Sequence, residues 1–202
     1  MRKIAEIYNE LISINDNNEH QRINELLVEI GKALLNSIIL IGGKEIEPVW
    51  VEAYFDNPYN DYGDPIMYAT DGQRGDARYY HIFKLPKNNN FRGRDIVIGD
   101  NSNYKLSFLL KVIRIDEKVY KQAAGADEIN KCSDVVEVKE GVNDKDLIVG
   151  ERKMSDHPRG NRDRNKEQIE MYRDFPLAVY EDWHFKFRIK AVKSKHHYNR
   201  IK

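Results

Sequence analysis

The stretch Pro48-Val49-Trp50-Val51-Glu52-Ala53-Tyr54-Phe55-Asp56-Asn57 decides the fold. It is rich in β-branched and aromatic residues and runs into Asp- and Asn-containing turn chemistry, so a strand is expected over 46–55. Side chains alternate between the two faces of a strand. Trp50, Glu52 and Tyr54 therefore share one face, and Val51 and Ala53 share the other. A carboxylate between two aromatic rings is unusual for a plain core face, because a buried acid needs a partner. It suits a site that stacks a flat ligand beside one acid or base. The plainer alternative is a glutamate that pairs with a lysine, flanked by cross-strand packing partners.

Working outward, Ile4, Ile7, Leu11 and Ile14 recur at helical spacing and predict a helix over 2–14. Asn15-Asp16-Asn17-Asn18 ends it with turn residues. Ile23, Leu26, Leu27, Ile30, Leu34 and Leu35 predict a second helix over 20–37, and Gly42-Gly43 a turn. After the opening strand comes a long aromatic and polar loop, 56–65, of a length that more often carries function than not. Strands are expected at 78–84, 95–98 and 104–115. Residues 117–147 are mixed, with a short helical pattern. Residues 151–170 are charged, and 177–193 read as a final strand or strand pair. The expectation is an α+β fold in one domain spanning 1–202, with N-terminal helices before a mostly antiparallel, partly barrel-like sheet. Its parts are a helical start at 1–37, a sheet core at 38–115, a mixed segment at 116–176, and a C-terminal strand with a basic tail at 177–202.

Composition bounds the functional classes. The 202 residues favour one domain able to bury roughly 70% of its unfolded surface. Hydrophobic residues make up 41% and charged residues 33%, so disorder is not expected. Thirty-three basic and 33 acidic side chains cancel. The cancellation hides an uneven distribution: no acid follows Asp182, whereas Lys186, Arg188, Lys190, Lys193, Lys195, Arg200 and Lys202 do. One cysteine, Cys132, excludes an internal disulfide framework and fits a reducing cytoplasm. The beginning turns polar within ten residues, unlike a signal peptide, and the apolar run near Ile38–Ile41 is too short to span a bilayer. No membrane partner and a monomeric, cytoplasmic protein are expected.

The chemical motifs are few. His81 follows Tyr79-Tyr80 on an expected strand, where a lone histidine is more often structural than a general base. The histidines at 20, 81, 157, 184, 196 and 197 are too scattered for a metal site. Phosphate loops, dinucleotide glycine fingerprints and nucleophile elbows are absent. Arg152, Lys153, Arg159, Arg162 and Arg164 cluster in sequence and, with the tail, suit a phosphate-contacting surface. The alternative is a solvated loop balanced by Glu151, Asp156, Asp163 and Glu167.

The order of these pieces resembles the alkyladenine (3-methyladenine) DNA glycosylases. Five stretches carry the likeness over residues 25–115: Glu52-Ala53-Tyr54, Asp64-Pro65-Ile66-Met67-Tyr68, Tyr79-Tyr80-His81-Ile82-Phe83, Gly93-Arg94-Asp95-Ile96-Val97-Ile98-Gly99 and Leu109-Leu110-Lys111-Val112-Ile113. A weaker echo lies at 176–187. The resemblance implies an enzyme of base-excision DNA repair that flips a damaged or alkylated base from duplex DNA and hydrolyses its N-glycosidic bond without a cofactor or metal. It implies that Glu52 activates water for attack at the sugar C1′ and that Tyr54 stacks on the flipped base. Tyr80 or Phe83 would lie near the pocket or an intercalating wedge, with His81 beside them. The resemblance further makes Arg159, Arg162 and Arg164 phosphate contacts.

Three positions depart from the family pattern. Tyr68 stands where the family has a histidine contacting the base. Asp95 stands where it has an asparagine that helps exclude guanine. Lys111 replaces an arginine that helps position water and the catalytic acid, and lysine lacks a bidentate fork. The family's later Gly-Pro-Lys stretch is not seen in 117–147. Two further readings stand beside the glycosylase: a non-catalytic nucleic-acid-binding module, and a small-ligand-binding protein of unrelated function. Asp95 with Glu52 would also suit a carboxylate pair acting on another glycoside.

Overall fold

A computed structural model of the chain describes residues 2–60, 62, 67, 71–84, 93–142, 147–150 and 178–181. Two helices lead, α1 (Ile4–Ser13) and α2 (His20–Leu35). The strands are β1 (Ile38–Ile41), β2 (Lys44–Asp56), β3 (Tyr80–Lys84), β4 (Arg94–Ile98), β5 (Lys105–Ile115), β6 (Lys118–Lys121), β7 (Val136–Lys139), β8 (Leu147–Gly150) and β9 (Ala178–Glu181). Helix α3 (Gln122–Ile129) lies between β6 and β7. The sheet path is β3-β4-β5-β2-β1-β7, every pairing among the described residues is antiparallel, and β9 joins the middle of β2 at Trp50, Val51 and Glu52 while β8 pairs with β9. This is the expected α+β architecture with a curled, half-barrel sheet.

The two expected helices form where their apolar stripes fall. Ile4, Ile7 and Leu11 of α1 and Ile23, Leu26, Leu27, Ile30 and Leu34 of α2 are all buried against one face of the sheet. The N-terminus of α1 is held by two carboxylates. Glu6 Oε2 accepts from Lys3 N–H at 3.3 Å, and Glu140 Oε2 accepts from Ile4 N–H at 2.8 Å. Both satisfy amides that a helix start leaves unpaired. Gly42 and Gly43 have φ of +59° and +79° and make the two-residue turn between β1 and β2. Such a turn needs positive φ at both positions.

The curl brings β3 and the ends of β7 together. Lys84 Nζ lies 2.6 Å from Asp134 Oδ1, and Tyr80 Oη donates to Glu140 Oε1 at 3.5 Å. Burial, then the nearby Glu140 charge, pushes the Tyr80 phenol well above its usual range, which keeps it a donor.

Two compensating bulges set the faces of the central strand pair. Pro48 pairs with Ile113, Trp50 with Val112 and Val51 with Leu110. Val49 is thus the extra residue of β2 and Lys111 the extra residue of β5. Proline fits such a place because it offers no N–H to the ladder. The consequence is a switch of parity. Ile113 and Ile115 face the helices below the bulge, and Leu106, Phe108 and Leu110 face them above it. In β2 the helix-facing set changes from Ile46 to Val51, Ala53 and Phe55.

The structure moves several boundaries. The central strand runs over Lys44–Asp56 rather than 46–55, and the strand expected from 78 begins at Tyr80. Within the mixed segment the described residues form β6, α3, β7 and β8, which hydrophobic periodicity did not separate. Of the expected C-terminal strand, β9 is described; the basic segment at 151–170 and the basic tail lie outside the described residues. In the long loop, Tyr62 is buried and its hydroxyl donates to Asn24 Oδ1 at 2.7 Å, tying the loop to α2. Among the described residues, no helix is long and apolar enough to cross a membrane.

Candidate functional site

The face of the sheet opposite the helices carries two parallel rows of side chains. In antiparallel pairing, directly opposed residues point to the same side. Phe83 pairs with Asp95, Asp95 with Leu109, and Leu109 with Glu52, giving one row across β3, β4, β5 and β2. His81 pairs with Val97, Val97 with Ser107, and Ser107 with Tyr54, giving the second. Of the residues singled out from sequence, Glu52, Tyr54, His81, Phe83 and Asp95 stand in these two rows. Lys111, two residues on from Leu109 in β5, falls on the same side and joins them.

At one end of the face is a carboxylate with two polar partners. Glu52 is 1% exposed. Tyr54 Oη donates to Glu52 Oε2 at 2.9 Å, and Lys111 Nζ lies 3.6 Å from the same oxygen. Lys111 Nζ also donates to Gln122 Oε1 at 2.7 Å, from the first turn of α3, and sits 5.6 Å from the centre of the Trp50 ring. The ammonium is therefore set between a carboxylate, an amide oxygen and an aromatic face, all of which favour positive charge. A buried ion pair needs such extra partners to offset the loss of water. Tyr54, Leu109 and Met67 pack together beside the carboxylate as a small apolar cluster.

The second polar group lies two strands away. Asp95 Oδ2 accepts from Gln73 Nε2 at 3.1 Å and from Ser107 Oγ at 3.1 Å. Gln73 Nε2 also lies 3.2 Å from Ser107 Oγ, so the three side chains form a closed buried triangle. At about 4.8 Å per strand, the Glu52 and Asp95 Cα atoms are about 9–10 Å apart, with Leu109 between them.

His81 is held at the edge of the face. Its Nε2 is 3.2 Å from Gly72 O, and its Nδ1 is 3.5 Å from Asp76 Oδ2. Arg78 bonds to Asp76 through Nε at 3.0 Å to each carboxylate oxygen, and this contact, with the backbone amide of Arg78, pulls the Asp76 carboxyl down to about 2. His81 is thus anchored to the Asp71–Gln73 turn and to Asp76, an arrangement that fixes the loop before β3.

Not every expected residue reaches the face. Tyr80 points to the helix side, where it packs on the core and meets Tyr79 edge-to-face at 4.8 Å. Register explains this, since Tyr80 pairs with Ile98, a helix-side residue. The expectation that Tyr80 shares the Glu52 site is therefore corrected. Tyr68, Arg159, Arg162 and Arg164 lie outside the described residues.

Sequence reasoning passed over Gln73, Ser107 and Gln122. Ser107 had a signal, being a polar residue within the apolar run Leu106-Ser107-Phe108. Gln73 and Gln122 had none, because loop and helix-start positions carry no alternation. Trp50, one of the two rings that flank Glu52 in sequence, gives Lys111 its aromatic contact. Among the described residues no three His, Cys, Asp or Glu side chains gather where they could hold a metal ion. The chain matches no protein-family model and no curated protein.

Proposed function

We propose that the chain is a base-excision glycosylase that hydrolyses the N-glycosidic bond of a flipped, damaged base in duplex DNA. The observation that supports this reading is the convergence of Tyr54 Oη and Lys111 Nζ on one oxygen of buried Glu52. Breaking an N-glycosidic bond builds positive charge on the sugar. A carboxylate held in a dry site by fixed donors faces that charge and can take a proton from the attacking water. Tyr54 holds Glu52 in one rotamer, and Lys111 balances its charge. The Tyr54 ring beside Leu109 and Met67 offers an apolar surface for a flat base.

The test is release of free base from alkylated duplex DNA. Glu52→Gln keeps the shape and removes the base, so release should fall by about 10²–10⁴-fold, the range ascribed to general-base catalysis. Release by the unaltered chain no faster than by Glu52→Gln ends the proposal for those lesions. Arg159, Arg162 and Arg164 would contribute phosphate contacts. Replacing all three by Ala should flatten the log K against log salt slope by about 3.

A second reading rests on the row Asp95–Leu109–Glu52. The Glu52 and Asp95 Cα atoms stand about 9–10 Å apart on one face, and carboxyl groups on either side of a bond are the arrangement of inverting glycosidases. It predicts that Asp95→Asn and Glu52→Gln abolish hydrolysis of a nucleoside or aryl glycoside equally. Under the glycosylase reading, Asp95→Asn changes which base is released and leaves the general base in place.

A further inference from the structure

We infer that Gln122 is a positioning residue for the general base: it holds the Lys111 ammonium off Glu52, so that the carboxylate stays available to the attacking water. The inference rests on the proposed function and adds to it a residue that acts through Lys111.

The distances carry it. An ammonium that hydrogen-bonds a carboxylate comes to about 2.7–2.9 Å. Lys111 Nζ instead stands 3.6 Å from Glu52 Oε2 and donates to Gln122 Oε1 at 2.7 Å. The short bond of the ammonium therefore goes to a neutral amide, and the Glu52 charge is balanced from a step away. Of the two polar partners of that oxygen, the nearer is Tyr54 Oη at 2.9 Å, a neutral donor. The difference matters to a base. A carboxylate that accepts directly from an ammonium is a weaker proton acceptor, because the bond favours its charged form. A cation kept beyond bonding distance supports the charge without taking up a lone pair.

The fold explains why a side chain from α3 does this. Along one edge, β5 pairs with β4 at Leu109 and with β6 from Val112 onward, so Lys111 lies at the seam between them. Val112 pairs with Lys121, the last residue of β6, and the next residue, Gln122, opens α3 beside Lys111. Two glycines allow the close fit. A Cβ on Gly125, in the same helix, would fall 3.1 Å from Ile113 Cγ1. A Cβ on Gly93, just before β4, would fall 2.7 Å from Leu109 Cδ1 and 3.1 Å from Gln122 Nε2. The amide nitrogen thus faces Gly93 and the oxygen faces Lys111, the orientation that a donor-only ammonium requires.

The experiment compares the full chain with Gln122→Leu and Gln122→Glu, by crystal structure and by base release from alkylated duplex DNA. Gln122→Leu removes the acceptor, and Lys111 Nζ should close to about 2.7–2.9 Å from Glu52. Its kcat should fall about tenfold with KM unchanged, because only proton transfer is weakened. Gln122→Glu keeps the reach and an acceptor oxygen, and should restore both the gap and the rate. A gap that stays open in Gln122→Leu overturns the inference. So does a closed gap with kcat unchanged, or a loss that appears in KM alone. If the unaltered chain releases no base, the glycosylase reading falls by itself, and the Lys111–Glu52 distance in Gln122→Leu still decides whether Gln122 sets the gap.

Discussion

Glu52 and Asp95 stand on opposite sides of the same residue, Leu109, in one row across β2, β5 and β4. Each carboxylate has its own buried partners. Glu52 has Tyr54 and Lys111, and Asp95 has Gln73 and Ser107. Leu109 keeps the two networks apart, so each can be changed separately.

Glu52 and Lys111 are strongly coupled in stability. Glu52→Leu leaves an ammonium buried and should cost about 3–5 kcal/mol, as should Lys111→Met for the carboxylate it strands. The double variant should cost less than the sum by about 1–3 kcal/mol. Urea unfolding of the four proteins measures this, and simple additivity would mean that the 3.6 Å approach contributes nothing.

Ser107→Ala removes one donor from Asp95 in a buried triangle and should cost about 1–3 kcal/mol. Asp95→Asn with Ser107 intact exchanges one hydrogen-bond partner for another and should cost less. Thermal unfolding of both ranks them, with about 2–4 °C per kcal/mol expected at this chain length. The reverse order would show that Ser107 is a bystander.

Gly99→Ala tests the packing of α1 on the sheet. Gly99 has φ of +114°, and a Cβ there would fall 2.2 Å from Tyr8 Cζ. Tyr8 is fully buried, so it cannot swing away. Backbone strain and overpacking together should cost about 2–4 kcal/mol. A neutral effect in denaturant unfolding would place α1 elsewhere.

The Asp76–Arg78 contact gives a small acid-side loss of stability. The Asp76 carboxyl lies at about 2 in the folded chain against its ordinary 3.8. The folded value is the lower one, so the stabilisation is present above 3.8 and fades as pH falls toward 2. Because Asp76 is more than a third exposed, the gain is under about 1 kcal/mol. Arg78→Ala should destabilise the chain slightly at pH 6 and not at pH 2. An equal effect at both would place the contribution in packing instead.

Much of the architecture was legible in the chain itself. The stripes Ile4-Ile7-Leu11 and Ile23–Leu35 announce helices because burial on one side demands a period near 3.6. The alternation of Trp50, Glu52 and Tyr54 against Val51, Ala53 and Phe55 announces which side of β2 meets those helices. It also marks Glu52 and Tyr54 as neighbours, since i and i+2 share a face in any strand. These are local facts, and local order in the chain carries them.

What joined Glu52 to Lys111 and Asp95 was not local. Their meeting depends on register among strands separated by loops, and a shift of one residue would send Lys111 or Asp95 to the other face. Two compensating bulges, at Val49 and Lys111, leave that register the same on either side and switch which parity faces the helices, and the sequence marks neither. The same register sends Tyr80 to the helix side although it lies between His81 and the equally aromatic Tyr79. Gln73 and Gln122 enter from a turn and a helix start, where only the curl of the sheet decides which strand they meet. Sequence determined that a carboxylate and a tyrosine share a strand face. Tertiary structure decided that an amine and a second carboxylate join them, because pairing across strands is a property of the assembled sheet.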